Sequence, residues 1–349
     1  MPGMGERAYA YAKASGIIGK SFVGKRSAAL NNISRIPELD RLIFPDASKN
    51  LPEKELMKDL EIRIINRAVE AVGAVFGSFR TPPEFLVLLI RGWEYQDLKN
   101  ILNAVAEDFQ KKPVYTGLGP FAAINWAAWP DMNAMLAKTE YAFLLKMENK
   151  NGINLQTELD RHYYTALWKA LLRLNRNDRK VSEKILAEEI SLRNVVCALR
   201  LRTYYQLESD EVKTHLININ TETSSRKKSL AADALSSLEL PLDNRQAWAG
   251  WKREKFLNPQ GSPGPVLPDI TIRRNLEWRA DPRYFQNAAA NYLYRMARGS
   301  FRTRPSSLDT MFCFIRIKQY EEDVLTSCAE GLGMGLANKE VLSMIGVNA

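Results

Sequence analysis

The chain has 349 residues, with 49 Lys and Arg against 40 Asp and Glu, a formal charge of +9. Apolar residues at 46% and charged residues at 26% exclude a disordered chain, because enough apolar surface is available to offset the ordering entropy; ordinary Gly and Pro counts exclude collagen-like and low-complexity architectures. The basic excess favours an acidic partner (nucleic acid, an anionic membrane surface or an acidic protein) without choosing among them.

From the N-terminus, Met1–Lys20 carries Glu6, Arg7 and Lys13 and no continuous apolar run, so it does not read as a secretory signal. Leu60, Ile64, Ile65, Val69 and then Val72 keep a three-to-four spacing through charged neighbours and predict an amphipathic helix. Thr81-Pro82-Pro83 stops that helical stretch, since proline donates no hydrogen bond and biases the residue before it away from helix. The densest apolar runs, Phe85–Ile90 and Phe121–Trp129, fall well short of the roughly 20 residues a spanning helix requires. Between them, Lys111-Lys112-Pro113 through Gly119-Pro120 reads as a loop. Gln156–Leu174 places Leu159, Tyr163, Leu167, Leu171 and Leu174 on one helix face, with Arg161, Lys169 and Arg173 between them. Leu216–Asn220 is the best alternating stretch and is too short to build a sheet. Asn258–Pro268 reads as an exposed connector, Phe285–Met296 as a further helix, and Arg302–Pro305 as another stop. The expected fold class is all-α.

A repeat runs through these helices. Leu98, Lys99, Asn100, Ile101 and Leu102 match Leu192, Arg193, Asn194, Val195 and Val196 in order. Both segments carry an apolar stripe at helical spacing, Leu98, Ile101, Leu102 and Val105, then Leu192, Val195, Val196 and Leu199. A third copy sets Asp323, Val324, Leu325 and Cys328 in the places of Asn194, Val195, Val196 and Leu199, with Glu321 and Glu322 where Leu192 and Arg193 stood. Any amphipathic helix can produce such a stripe; the basic-Asn pair in register is what makes the first match a repeat. Unequal spacing implies insertions, which helical repeats accept in their loops.

Chemistry-bearing constellations are sparse. The three cysteines, Cys197, Cys313 and Cys328, form no CxxC, and the two histidines, His162 and His215, sit in no metal-ligand spacing. Gly331-Leu-Gly-Met-Gly335 follows a helix and reads as a helix-ending turn, not a phosphate loop. Glu321-Glu322-Asp323 points in three directions around a helix and reads as a solvated face. His162 reads as a packing or surface residue, and Arg226–Lys228 and Lys252-Arg253 as short basic patches without the aromatic interleaving of a strand-binding platform. No catalytic residue, cofactor or metal is expected.

The order of four segments resembles the C subunit (d in eukaryotes) of V/A-type rotary ATPases over nearly the whole chain. These are Arg7–Lys13, Thr157-Glu-Leu-Asp-Arg-His-Tyr-Tyr164, Glu188–Asn194, and Ile315–Val324 followed by the Gly331–Gly335 turn. Glu321-Glu322 and the glycine-rich ending depart from the family pattern. The resemblance implies a funnel of three similar helical units around a pseudo-threefold axis, here read as 1–120, 121–225 and 226–349, with the first and last helices packing across units. It further implies a non-catalytic central-stalk connector, peripheral on the cytoplasmic face, between D- and F-type shaft subunits and the membrane proteolipid ring. Neither nucleic acid binding nor a membrane span of its own is implied. The basic residues of the repeat helices, Arg91, Lys99, Arg193, Arg316 and Lys318, are candidates for facing an acidic shaft end. The rival class is a helical-repeat RNA-binding or other basic adaptor protein, which salt-dependent nucleic-acid binding would reveal.

Overall fold

The structure, a computed structural model, describes residues 2–106, 114–147, 152–223, 226–249, 251–252, 255 and 279–347, with backbone alone at 103–106, 221–223, 226–228 and 249. The connector at 258–268, Lys111–Pro113 and the Val105 side chain therefore lie outside the described residues. Helices follow one another as α1 (Met4–Gly19), α2 (Ile36–Ile43), α3 (Glu53–Phe76), α4 (Glu84–Ile90), α5 (Gly92–Ala106), α6 (Met132–Leu136), α7 (Gly152–Leu172), α8 (Arg176–Tyr204) and α9 (Ser209–Thr214). A short antiparallel hairpin of β1 (Asn220–Thr223) and β2 (Arg226–Ser229) follows, and then α10 (Ala232–Ser237), α11 (Arg245–Ala249), α12 (Pro282–Ser300), α13 (Asp309–Gly333) and α14 (Asn338–Met344). The fold is helical as expected, apart from that hairpin, which begins where the alternating stretch ends.

Local chemistry sets the boundaries. Pro52 and Pro83 stand immediately before α3 and α4, where a missing N–H costs nothing. Asn175 caps α8 by accepting from the Asp178 N–H, and Asp281 caps α12 ahead of Pro282. The Thr81–Pro83 and Arg302–Pro305 breaks fall in the gaps between α3 and α4 and between α12 and α13. Phe121–Trp129 is not one helix but a pair of short 3₁₀ turns, held to α5 by the Glu94 carboxylate, which accepts from the Ala123 and Ile124 N–H groups at 2.8–3.1 Å. The glycine run is a Schellman ending: Leu336 N–H reaches Gly331 O, Gly335 N–H reaches Leu332 O, and Gly335 takes φ +78°. Gly331 and Gly333 lie inside the last turn of α13, where a Cβ would strike Val341 and Met57.

α13 is the central member. It packs on α1, α2, α3, α4, α8, α12 and α14, and Phe312, Cys313, Phe314 and Ile315 are fully buried. The apolar interior divides into two clusters. The larger joins α1–α5, α7, the start of α8 and α13; the smaller joins the second half of α8 to α9, α10, α11 and the start of α12. Of the repeat stripe, Leu98, Ile101, Leu192, Val195, Val196, Leu199, Val324, Leu325 and Cys328 are buried, whereas Leu102 is half-buried at the edge of the larger cluster. The matching asparagines differ in role: Asn194 is buried and bonds the backbone of Ile217 and Leu230 at the base of the hairpin, while Asn100 is exposed and accepts from Gln96.

Truncating the fully buried Leu98 to alanine is expected to cost about 2–5 kcal/mol of unfolding free energy by denaturant titration, the range for buried Leu→Ala changes.

Candidate partner-binding cleft

A cleft of about 680 Å³ opens between α5, α7, α8, α12 and α13. Its floor is built around one carboxylate. Asp160, on α7, accepts from Arg193 Nε and Nη2 at 2.9–3.1 Å, from the Tyr95 hydroxyl, and from Lys99 Nζ. Arg193 Nη2 also donates to the Tyr95 hydroxyl at 3.1 Å. Tyr95 stacks on Tyr163 with centroids 4.4 Å apart, and the Arg193 guanidinium lies 5.1 Å over the Tyr164 ring. Lys99 and Arg193 are the equivalent basic positions of the first two repeat copies, and they reach the same carboxylate from α5 and α8. At the third copy that position is Glu322, whose Oε2 accepts from Trp93 Nε1 at 2.7 Å and so ties α13 to α5. A further tie joins α13 to α8, where Arg316 pairs with Glu189 at 2.7 Å; Glu189 in turn accepts from the Tyr164 hydroxyl at 3.1 Å.

Electrostatics on the floor follow from this geometry. Burial works against Arg193, but the Asp160 charge and hydrogen bonds, with Tyr164 and Cys197, together more than offset it and hold the guanidinium above its ordinary value. Burial raises Asp160 against the opposing pull of Arg193. Burial, reinforced by Arg193 and Arg200 beside it, pulls Lys99 below its ordinary value although it contacts Asp160, so it is the first cation of the group to lose its proton as pH rises. Cys197, half-buried in the same floor, is pushed up to about 11 by burial, which makes it a poor nucleophile. Two further acids are shifted nearby: burial raises Asp97 to about 6, and burial together with the neighbouring Asp323 raises Glu322 to about 8.

The rim differs from the floor. Arg200, Arg283, Gln286, Tyr204 and Tyr205 are exposed around the mouth, the two tyrosines at 54% and 56%. Basic and aromatic side chains of this kind are the types enriched at the energetic centre of protein interfaces. The motifs and the repeat do not single them out, although Arg193 and Arg200 stand seven residues apart on one helix face.

Of the five basic candidates, Lys99, Arg193 and Arg316 line this cleft and Arg91 and Lys318 do not. Arg91 bonds Phe121 O at 2.9 Å and Glu140 at 3.2 Å, fastening the irregular 114–147 segment. Lys318 is 3% exposed and pairs with Glu321. The acidic run is not a solvated face. Glu321 is buried and accepts from the Phe22 N–H at 2.7 Å, Glu322 is half-buried against Trp93, and only Asp323 is exposed, within the cleft. The reason is that α13 is covered on nearly every side, so each direction around it meets protein. Lys252 of the short basic patch pairs with Asp233 at 2.9 Å, and Arg253 lies outside the described residues. His162 packs against Phe143 at 4.4 Å, and burial lowers its pKa. Among the described residues there is no cluster of three or more His, Cys, Asp or Glu placed to hold a metal ion, and no helix is long and apolar enough to cross a membrane.

Residues 46–344 match the family described as the ATP synthase (C/AC39) subunit. The chain belongs to that family. It is 23% identical over 333 residues to an uncharacterised protein of Treponema pallidum, covering 94% of this chain and 93% of that one. It is 24% identical over 274 residues to the C subunit of the A-type ATP synthase of Methanosarcina mazei, covering 72% and 71% of the two chains. Against the corresponding protein of Methanosarcina barkeri, identity is 27% over 154 residues, covering 41% and 42%.

Two outcomes test the floor. Asp160→Asn leaves Lys99 and Arg193 without a counter-charge and is expected to cost about 2–3 kcal/mol in denaturant titrations, below the full cost of breaking a buried pair because part of the network stays wet. Glu322→Gln keeps an acceptor for Trp93 and removes a carboxyl that the fold holds neutral. The unfolded chain ionises this group above its ordinary value of 4.5 while the folded chain retains the proton until about 8. The wild type therefore loses relative stability as pH rises through that window. The variant's advantage in Tm should be absent at pH 4, grow between pH 5 and 8, and reach about 2–4 °C.

Proposed function

We propose that this protein is the non-catalytic connector of the rotor in an A/V-type ATP synthase or ATPase, joining D- and F-type shaft subunits to the membrane proteolipid ring at the cytoplasmic face and transmitting torque. The reading rests first on family membership over residues 46–344. The cleft supports a place for the shaft: a concavity with a charged, cross-linked floor and an exposed Arg-Tyr rim suits a protein end. Within this reading the chain is three helical units of roughly 1–120, 121–225 and 226–349, and Lys99, Arg193 and Arg316 act from the cleft floor while Arg200 and Arg283 meet the partner directly. Arg91 and Lys318 hold their own chain together. A helical interior packed to crystal-like density supplies the stiffness that torque requires.

Charged rim residues steer association and set register, while apolar and aromatic contacts govern how slowly the complex separates. The double substitution Arg200→Glu with Arg283→Glu, both at exposed positions, should raise the Kd for purified shaft subunits about tenfold or more at low salt, with an unchanged melting curve. Wild-type binding should weaken as salt rises. Failure to bind shaft subunits, or binding indifferent to both charge reversal and salt, would overturn the placement. Saturable RNA binding with a steep salt dependence would instead favour a basic helical-repeat adaptor.

A further inference from the structure

A second concavity, of about 340 Å³, lies toward the C-terminal end of α12, away from Arg283 and Gln286. It is formed by the end of α1, the loop from Lys20 to Arg26, the end of α12 and the middle of α13. Lys25, Arg26, Arg298 and Arg302 stand around it and no Asp or Glu lines it. None of these four cations forms an ion pair with a carboxylate among the described residues. A fifth cation, Arg67, stands close by: the Phe22 ring lies between guanidiniums, 4.4 Å from that of Arg26 and 5.2 Å from that of Arg67. Arg67 Nη1 is buried without a hydrogen-bond partner among the described residues. The carboxylate that Arg67 senses, Glu321, is already engaged by Lys318 and by the Phe22 N–H.

The backbone is shaped to hold this arrangement. Gly24 takes φ +93°, and a Cβ there would stand 3.1 Å from Arg298 Nη2, so the guanidinium lies flat on the loop because the residue is glycine. Arg298 Nη1 is further fixed by the Tyr294 hydroxyl at 3.2 Å, and Arg26 Nη1 by Lys20 O at 2.6 Å. Among the described residues no further hydrogen bond takes up the remaining N–H groups of these two guanidiniums. Gathering like charges without a counter-ion is unfavourable; a planar fork of donors matches the oxygens of a carboxylate or a phosphate, and four clustered cations favour the more highly charged phosphate. The inner wall, Ile18, Val23, Phe301 and Ile317 with Tyr294, is apolar and aromatic.

We infer that this pocket binds a phosphate group, with Arg298 and Arg26 as forked donors, Lys25 and Arg302 as flanking charges, and the apolar wall receiving whatever the phosphate is attached to. The pocket shares only Tyr294 with the lining of the larger cleft among the described residues, and the inference does not rest on what occupies that cleft. Two sources share this chemistry, a soluble phosphate compound and the headgroup of an anionic phospholipid.

The test is isothermal titration of the full-length chain at low salt with inorganic pyrophosphate, and separately with monomeric short-chain phosphatidylglycerol, using short-chain phosphatidylcholine as the zwitterionic control. One-site saturable binding of pyrophosphate or phosphatidylglycerol is expected. The double substitution Arg298→Gln with Arg302→Gln should weaken it by at least about tenfold. Arg245→Gln with Lys339→Gln, which removes the same charge from exposed positions elsewhere, should leave it unchanged. Lys25→Gln with Arg302→Gln, confined to exposed side chains, carries the same test should the first pair lower the melting temperature. Phosphatidylglycerol binding tenfold tighter than pyrophosphate, and displacing it, identifies a lipid headgroup; the reverse order identifies a soluble phosphate. Absence of saturable binding by both anions overturns the inference. So does equal weakening by the pocket and control substitutions, which would mean diffuse charge. Loss of stability in the pocket variants with binding intact would also overturn it, and would make the cations caps for the C-terminal ends of α1 and α12.

Discussion

A single carboxylate with two cations on it sets the relation of three helices. Asp160 receives Lys99 from α5 and Arg193 from α8 while sitting on α7, and the Tyr95 hydroxyl closes the circuit by donating to Asp160 and accepting from Arg193. Apolar packing is permissive about sliding one helix along another, because a Leu meets a neighbouring Leu one turn on almost as well. A partly buried ion network is not permissive, since a slip of one turn strands a charge away from water. Glu322 with Trp93 and Arg316 with Glu189 extend the same logic to α13. The cleft exists because these helices are held apart at fixed register by polar ties at its floor instead of collapsing onto one another.

The periodic signals were sound guides to the fold and poor guides to the charges. Leu60, Ile64, Val69 and Val72 are buried on α3, and the Thr81–Pro83 and Arg302–Pro305 breaks separate helices where proline requires them to. The register of the Leu98 and Leu192 segments holds in the structure: Leu98, Ile101, Leu192, Val195, Val196 and Leu199 are buried, Leu102 is half-buried, and both basic positions converge on Asp160. Charged residues were harder to read. A cation in a sequence reveals that a counter-charge or water must meet it, not which of the two does. Lys318 and Glu321 are three residues apart on a helix, a spacing found equally on solvated faces, and only the loop carrying Phe22 on the other side makes them interior. Asp160 stands within the Thr157–Tyr164 motif, but nothing local gives it a role, because its partners come from 61 positions earlier and 33 later, as Lys99 and Arg193. Phe121–Trp129, apolar enough to pass for a helix, is irregular because Glu94 supplies from the side the acceptor that a helix would supply from its own carbonyls.

In the proposed function, membership in the ATP synthase (C/AC39) subunit family and the geometry of the cleft meet at one physical requirement: a body that receives a partner without yielding to it. Asp160, Lys99 and Arg193 neutralise one another on the floor and Arg316 pairs with Glu189, so on the proposed reading a partner need not supply counter-charges there and meets the exposed arginines and tyrosines of the rim. On that reading recognition and integrity fall to different residues of the same concavity, which lets rim side chains change without loosening the helices beneath.

The burial of α13 along its length has a mechanical consequence. Its 25 residues form a rod about 37 Å long at the usual rise per residue. That rod is clamped near its start by Asp309, which accepts from the Ser182 N–H and hydroxyl of α8, and near its end by α3 and α14 closing on its bare glycines. A beam gripped at both ends and along its flanks has no free span in which to bow. A twist applied near its first turn reaches its last turn as rotation of the surrounding helices together, with little of it absorbed as elastic wind-up on the way.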